Sequence, residues 1–430
     1  MKLAVVGMGY VGLVAACCLV KSGHSVIAVE KDVNKLNKLK DGILPIHEDN
    51  LNPIFLKAIE DEKIKFTHDF KEALQRADTV MIAVGTPATS DGRVDLKQVN
   101  EVAKSIASFV QKPTTVIMKS TVPPGTGKAL VRRYFDKNNI PIRYVSNPEF
   151  LREGKAVWDW YNPDRIVIGS ESQESTTLLM EIYKDINAPK VVMDITSAEM
   201  VKYASNAFLA TKISFINEIA NLCERVNADI STVAPAVGMD KRIGEHFLQA
   251  GLGYGGSCFP KDTKGLEYIS QFNDYNFNLL KAVIEVNAKQ RVLAVRKIVE
   301  VLDGEAMNKK VAVLGLAFKP GTDDVREAPA IDIIKFLCSE GAKVNACDPM
   351  AIERAKNILK EVDFYSDPYQ ACADCEAIIL TTEWPEFLDL DWKKIRDQMQ
   401  PPYAFIDGRN ALDKNAALNF KYRAFGRRVD

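Results

Sequence analysis

Gly7, Gly9 and Gly12 constrain the fold of this chain more than any other feature, because they stand between an apolar run, Leu3 to Val6, and a helical run, Leu13 to Ser22. In a G-x-G-x-x-G element so placed, one glycine makes the tight turn. One lets the backbone approach a pyrophosphate, and one lets helix pack on strand. The amino terminus of that helix then faces phosphates with unpaired N–H groups and a partial positive charge, with Tyr10 and Val11 in the same cofactor contact. Glu30 closes the next strand-like run, Ser25 to Val29, where a carboxylate accepts hydrogen bonds from adenosine ribose hydroxyls. A carboxylate there repels a 2′-phosphate, so NAD is expected over NADP. Lys31 and Lys35 act against that inference, since either can neutralise such a phosphate.

Strand-like runs end at Gly7, Val29, Val84 and Lys119, and helical patterns fill the intervals, as in a parallel sheet covered by helices. Ile142 to Val145, Arg165 to Gly169 and Val191 to Asp194 extend this doubly wound, Rossmann-like domain over 1–195. From Ser197, Val201, Ala204, Phe208, Ile213, Ile216 and Ile219 recur at helical spacing, with no Pro or Gly before Pro235 and Gly238. A central helical segment, 196–303, follows from that run, a glycine-rich loop at Gly251 to Gly256 and a further helix over Asn276 to Leu302. Its long helix is a natural dimer surface. Val311 to Leu314, Lys343 to Cys347 and Ala377 to Thr381 open a second strand series over 304–430. The fold class is therefore α/β: two Rossmann-like doubly wound domains joined by a central helical segment with a long helix.

Composition narrows the partners. The 430 residues carry 56 Lys and Arg against 57 Asp and Glu, a net charge of −1, so no global field recruits nucleic acid or an anionic membrane. The amino-terminal apolar run is too short for a signal sequence and no stretch reaches the length of a membrane span, which leaves a cytoplasmic expectation. The eight cysteines are scattered and read as reduced thiols. Cys372 and Cys375 form a C-x-x-C pair without a second pair or a neighbouring His, and the four histidines, His24, His47, His68 and His246, form no ligand motif, so no metal is expected.

Chemistry concentrates in Gly253 to Asp262. Gly255 and Gly256 let the backbone come close to a ligand, and Pro260 suits the first turn of a helix, which puts Cys258 at a helix entrance. Such a position favours the nucleophilic thiolate, although the residue alone fits a buried structural cysteine equally well. Asp262, four residues on, faces the same pocket if the helix starts there. Lys202 and Asn206 share a helix face, as do Glu149 and Glu153 if Pro148 starts a helical turn. Donors of this kind serve an oxyanion, although a Lys and an Asn on one helix more often face solvent. Thr86 and Thr121 follow two apolar strands, at the sheet edge where open α/β folds bind ligands.

Assembled, these motifs resemble the UDP-glucose/GDP-mannose dehydrogenase superfamily over essentially the whole chain. The resemblance rests on the glycine fingerprint, Gly85-Thr86-Pro87, Ser120 to Pro123, Asn147 to Gly154, Lys202 with Asn206, Gly255 to Asp262, and Phe318 to Arg326. Arg152-Glu153-Gly154 followed by Asn162 to Ile166 resembles the UDP-glucose branch more than the GDP-mannose or UDP-N-acetylmannosamine branches. Ser257 and Phe259 stand where relatives vary, which leaves the branch less defined than the reaction.

The resemblance implies an NAD-dependent enzyme that oxidises UDP-glucose to UDP-glucuronate through an aldehyde, a thiohemiacetal and a thioester on Cys258. It gives Lys202 and Asn206 the alkoxide, Asp262 and Thr121 the positioning or deprotonation of water and hydroxyl, and Glu153 the thioester hydrolysis. Glu149 is structural or acts through water. UDP and glucose fall to Phe150, Leu151, Arg152 and Glu153, to Phe247, Leu248, Gly251, Tyr254 and Gly255, and to Phe318, Lys319 and Arg409. Lys261 and Arg326 reach the cofactor, and Arg242 reaches a neighbouring subunit's site, implying at least a dimer. A single-step hydroxyacid dehydrogenase is the competing enzyme, but it leaves Cys258 without a task. A nucleotide-sugar binding protein that has lost catalysis has no use for a nucleophile.

Overall fold

The computed structural model describes residues 1–89 and 91–428, and the chain divides into two compact units, Met1–Ser205 and Asn206–Asp430. The first is built on β1 (Lys2–Val6), β2 (Ser25–Val29), β3 (Ile64–Thr67), β4 (Thr79–Ile82), β5 (Thr114–Met118), β6 (Ile142–Ser146), β7 (Ile166–Ser170) and β8 (Lys190–Met193). Their order is β3-β2-β1-β4-β5-β6-β7-β8. All pairs are parallel except β6 with β7. Strands β1, β4 and β5 are nearly continuous apolar runs because helices cover both sheet faces. Alternate residues of β1 therefore enter different cores: Leu3 and Val5 pack with Leu13 and Phe55, Ala4 and Val6 with Val99 and Ile106.

Expected strand ends fall within two residues of those observed. Strand β3 escaped the sequence reading because it lies at the sheet edge and only Ile64 of its four residues is fully buried. The order of strands reverses between β1 and β4, so their carboxyl ends form the crevice where such sheets bind ligands.

The helix Ile195–Val226 carries the chain from the first unit into the second. In the second unit it is followed by helices Ile230–Gly238, Phe259–Phe272 and Asn278–Val301. A second sheet then forms from β9 (Lys310–Leu314), β10 (Lys343–Cys347), β11 (Val362–Tyr365), β12 (Ala377–Leu380), β13 (Ala404–Asp407) and β14 (Lys421–Arg423). It is wholly parallel, in the order β11-β10-β9-β12-β13-β14. Leu252, Ala294 and Ile298 of the helical segment join the core of this sheet. Cys372 and Cys375 are fully buried in the same core, with thiols that burial holds above their ordinary value. Among the described residues no helix is long and apolar enough to cross a membrane.

Candidate active site

The glycine fingerprint forms a cradle at the end of β1. Gly7 has φ of 92°, and a Cβ there would lie 2.8 Å from Ala83 O, so this turn belongs to glycine alone. A Cβ on Gly12 would lie 1.8 Å from Gly7 O, which is how closely the helix Tyr10–Lys21 packs against the turn. Nothing lies within 4 Å of a Cβ built on Gly9, so the approach to the helix amino terminus is open there. Glu30 is buried at the end of β2; it accepts from Met8 N (3.2 Å) and Asp32 N (3.1 Å) and pairs with Lys35 (2.9 Å). Thr86 follows β4 and Thr121 follows β5, so the expected cofactor residues of this unit collect at one sheet edge. This cradle, with an open helix amino terminus and an acid beside it, fits a dinucleotide.

The first unit also holds a buried charge cluster. Lys202 Nζ lies 3.0 Å from Glu149 Oε1, and both side chains are buried. The ammonium also lies 5.4 Å from the centre of the Phe150 ring, and the Arg165 guanidinium 3.7 Å from it. Burial pushes the Glu149 carboxyl up, but the charge and hydrogen bond of Lys202, with Leu151 N–H and Lys119, bring it below the ordinary carboxylate value. The expected helical turn from Pro148 does not form. Glu149 instead accepts from Leu151 N at 2.6 Å, and the next helix begins only at Ala156. Glu149 and Glu153 therefore share no helix face. Arg152 is committed to Asp159 through Nε, Nη2 and its backbone N–H.

Lys119 was missed. Its buried ammonium donates to Asn147 Oδ1 (3.0 Å) and Tyr183 OH (3.2 Å), and burial lowers it to about 8. A lysine ending an apolar strand, two residues before Thr121, was the available signal.

In the second unit Cys258 is the N-cap of the helix Phe259–Phe272, with Pro260 in its first turn, as the sequence predicts. Asp262 N donates to Cys258 O at 2.8 Å, closing that turn. The Asp262 carboxylate is 1% exposed, accepts from Asn206 Nδ2 at 2.6 Å and is paired with Lys261. Ser257 Oγ lies 3.5 Å from Cys258 Sγ. A Cβ on Gly255 would lie 2.3 Å from Glu327 O, and one on Gly256 2.8 Å from the Phe318 ring. The two glycines thus admit the 318–327 loop as closely as backbone allows, and Gly256 N donates to Arg326 O.

The same loop is fastened by Arg409, which donates to Phe318 O and Thr381 O. Arg326 pairs with Asp324, and Lys319 Nζ lies over the Phe318 ring. Gly251 and Tyr254 are held by Asn217, Gln290 and Asn287, buried polar side chains that helical periodicity did not single out. Leu248 is buried, Phe247 sits at φ of 65° against Phe259, and Arg242 is exposed and paired with Asp240.

Three family models match the chain in succession: the NAD binding, central and UDP binding domains of the UDP-glucose/GDP-mannose dehydrogenase family, over residues 1–187, 196–289 and 312–414. The UDP-glucose 6-dehydrogenase TuaD of Bacillus subtilis is 46% identical, covering 99% of this chain and 93% of its own. The UDP-glucose 6-dehydrogenase of Rickettsia bellii is 43% identical over the full length of both. The structure is similar to a UDP-glucose dehydrogenase from Pyrobaculum islandicum, at 39% identity and a TM-score of 0.93, covering 99% of this chain and 98% of that one. A UDP-D-ManNAc dehydrogenase from Pyrococcus horikoshii shares 26% identity and a TM-score of 0.89 over the full length of both.

Proposed function

Since the chain belongs to the UDP-glucose/GDP-mannose dehydrogenase family and is an NAD-dependent oxidoreductase, we propose that it oxidises C6 of UDP-glucose twice, from alcohol to carboxylate, through Cys258. The supporting observation is a half-buried cysteine at a helix amino terminus, one turn from a buried carboxylate that Asn206 and Lys261 hold in place. When bound, NAD⁺ would supply the acceptor for each hydride that C6 loses, one cofactor molecule per oxidation.

In the first oxidation the C6 hydroxyl gives up its proton, the Lys202 ammonium with the Asn206 amide stabilises the alkoxide, and loss of a hydride from C6 leaves the aldehyde. The Cys258 thiolate then adds to the aldehyde carbon, and a proton completes the thiohemiacetal. Its oxidation leaves a thioester and releases a further proton. Water adds to the thioester carbonyl, the carbon–sulfur bond breaks, and carboxylate and thiolate are restored. Glu153 serves this hydrolysis, while Asp262 and Thr121 place the water and hydroxyl. Glu149 holds the Lys202 side chain in place through their ion pair. The buried position of the Lys202–Glu149 pair excludes water from it, which strengthens its field on a neighbouring oxyanion.

We assign 1–195 to the cofactor, 196–303 to the central helical segment and 304–430 to UDP, held by Phe318, Lys319 and Arg409. We further propose a cytoplasmic homodimer joined along Ile195–Val226. Phe208, Phe215 and Leu222 recur every seven residues on that helix and remain 66%, 53% and 54% exposed, a stripe that a second copy would cover. Sedimentation velocity should show a dimer that Phe215→Lys dissociates; a wild-type monomer refutes the pairing. The reaction is tested by stoichiometry. Each UDP-glucose should yield two NADH and one UDP-glucuronate by mass, whereas one NADH per sugar rules the four-electron reading out.

A further inference from the structure

Glu48 lies in the connection between helices Val33–Lys40 and Leu51–Glu60, far in sequence from the residues of the proposed reaction, yet its carboxylate is 6% exposed and fully engaged. One oxygen, Oε1, accepts from Val157 N at 3.2 Å, in the first turn of the short helix Ala156–Tyr161. The other, Oε2, accepts from the Tyr10 hydroxyl and from Gly154 N at 2.8 Å. Gly154 N also donates to Tyr10 OH at 2.7 Å, which closes a three-membered ring of hydrogen bonds.

Both partners of Oε2 border the proposed reaction site. Tyr10 is the first residue of the cofactor helix, directly after the open glycine of the fingerprint. Gly154 follows Glu153 and sits at φ of 83°, a conformation that turns the chain just beyond the glutamate. An acid that only capped the Ala156 helix would need only the N–H groups of its first turn. The second oxygen instead joins segments 144 residues apart in sequence. Burial raises the Glu48 carboxyl, opposed by the N–H groups of Val157, Gly154 and Ala156. A carboxylate kept buried at that cost is held for the contacts it makes.

We propose that Glu48 is a positioning residue: through Tyr10 and Gly154 it fixes the Glu153 turn against the first turn of the cofactor helix. The inference rests on the proposed role of Glu153 in thioester hydrolysis. Glu48 touches no reacting atom. Its loss frees the Gly154 turn, and misplacing a catalytic group by about 1 Å costs on the order of a hundredfold in rate.

Glu48→Gln presents an N–H₂ group to one set of backbone donors and cannot satisfy both. It should lower steady-state acid formation about tenfold while the first turnover of reduced cofactor stays within about twofold. Intact mass under substrate should then show a covalent adduct on Cys258 absent from the wild type. Tyr10→Phe removes only a hydroxyl, so it retains the fold if Glu48→Gln does not. It should cost about threefold, and less than additively with Glu48→Gln, since both open one ring. Glu153→Gln is the control. Adduct in Glu153→Gln but neither adduct nor rate loss in Glu48→Gln and Tyr10→Phe overturns the positioning role and leaves the reaction standing. If Glu153→Gln hydrolyses at the wild-type rate, the role of Glu153 fails; selective loss of the late step in Glu48→Gln then has no basis, and this inference falls with it.

Discussion

The two sheets share one strand order, β3-β2-β1-β4-β5-β6 in the first and β11-β10-β9-β12-β13-β14 in the second, yet their first turns differ in kind. After β1 the chain enters its helix within three residues, with Gly9 as an N-cap that has no side-chain partner. After β9, fourteen residues intervene before Pro329–Ser339, and they form the loop that packs on Gly255 and Gly256. The acids that end the second strands differ likewise. Glu30 takes one loop N–H, that of Met8, beside Asp32 N and Lys35. Asp348 takes Leu316 N, Ala317 N, Met350 N, Ala351 N and Trp384 Nε1, which fills a carboxylate's capacity of about four lone-pair sites. A shared topology therefore does not make a dinucleotide site. That takes a helix amino terminus reached at once and an acid with acceptor capacity left over, and only the first unit has both.

The comparison breaks most visibly at the proposed nucleophile, Cys258, which lies in the second unit. Cys258→Ala should lower acid formation at least about a thousandfold while UDP-glucose still binds in equilibrium dialysis. Normal acid output from that variant would remove the thioester reading. Next come the paired acids. Asp348→Ala strands five donors, four of them buried, and should destabilise the second unit by about 3 kcal/mol with NAD⁺ affinity unchanged. Glu30→Ala should do the converse, weakening NAD⁺ about tenfold at less than about 1 kcal/mol of stability. Calorimetry and cofactor titration check both, and equal effects on stability would erase the distinction.

The smallest effect concerns pH. Glu199 accepts from Gly125 N and Gly127 N, a few residues after Thr121, and from Tyr144 OH on β6, and burial pushes its carboxyl up to about 7. Between about 4.5 and 7 the folded state keeps this proton and the unfolded state does not. Its contribution is thus present in acid and fades as pH rises through 7, by about 1 to 3 kcal/mol. Glu199→Gln should flatten that part of the stability profile, and a slope unchanged in the variant would assign it to another group.

Much of this was legible in the chain. Gly7, Gly9 and Gly12 announce a phosphate-facing turn because only glycine tolerates the dihedral angle and the Ala83 backbone at Gly7 and the Gly7 backbone at Gly12, while Gly9 leaves the helix end open. Cys258 and Pro260 announce a helix entrance because proline is at ease where no N–H is needed. Local rules of this kind act over a few residues, so the sequence alone carried them, and the alternation of apolar runs carried seven of the eight strands of the first sheet but only β9, β10 and β12 of the six in the second.

What tertiary structure alone decided is how distant groups are satisfied. Glu149 looked like one end of a helical pair, but Lys202 and Leu151 N–H took its carboxylate and no helix formed. Gly255 and Gly256 looked open to a ligand, and both face the 318–327 loop. Glu48, Lys119 and Asn217 carry no motif, because a buried polar group has meaning only through a partner tens of residues away. Periodicity records which face of an element is buried; it does not record which donor meets which acceptor once the faces have closed.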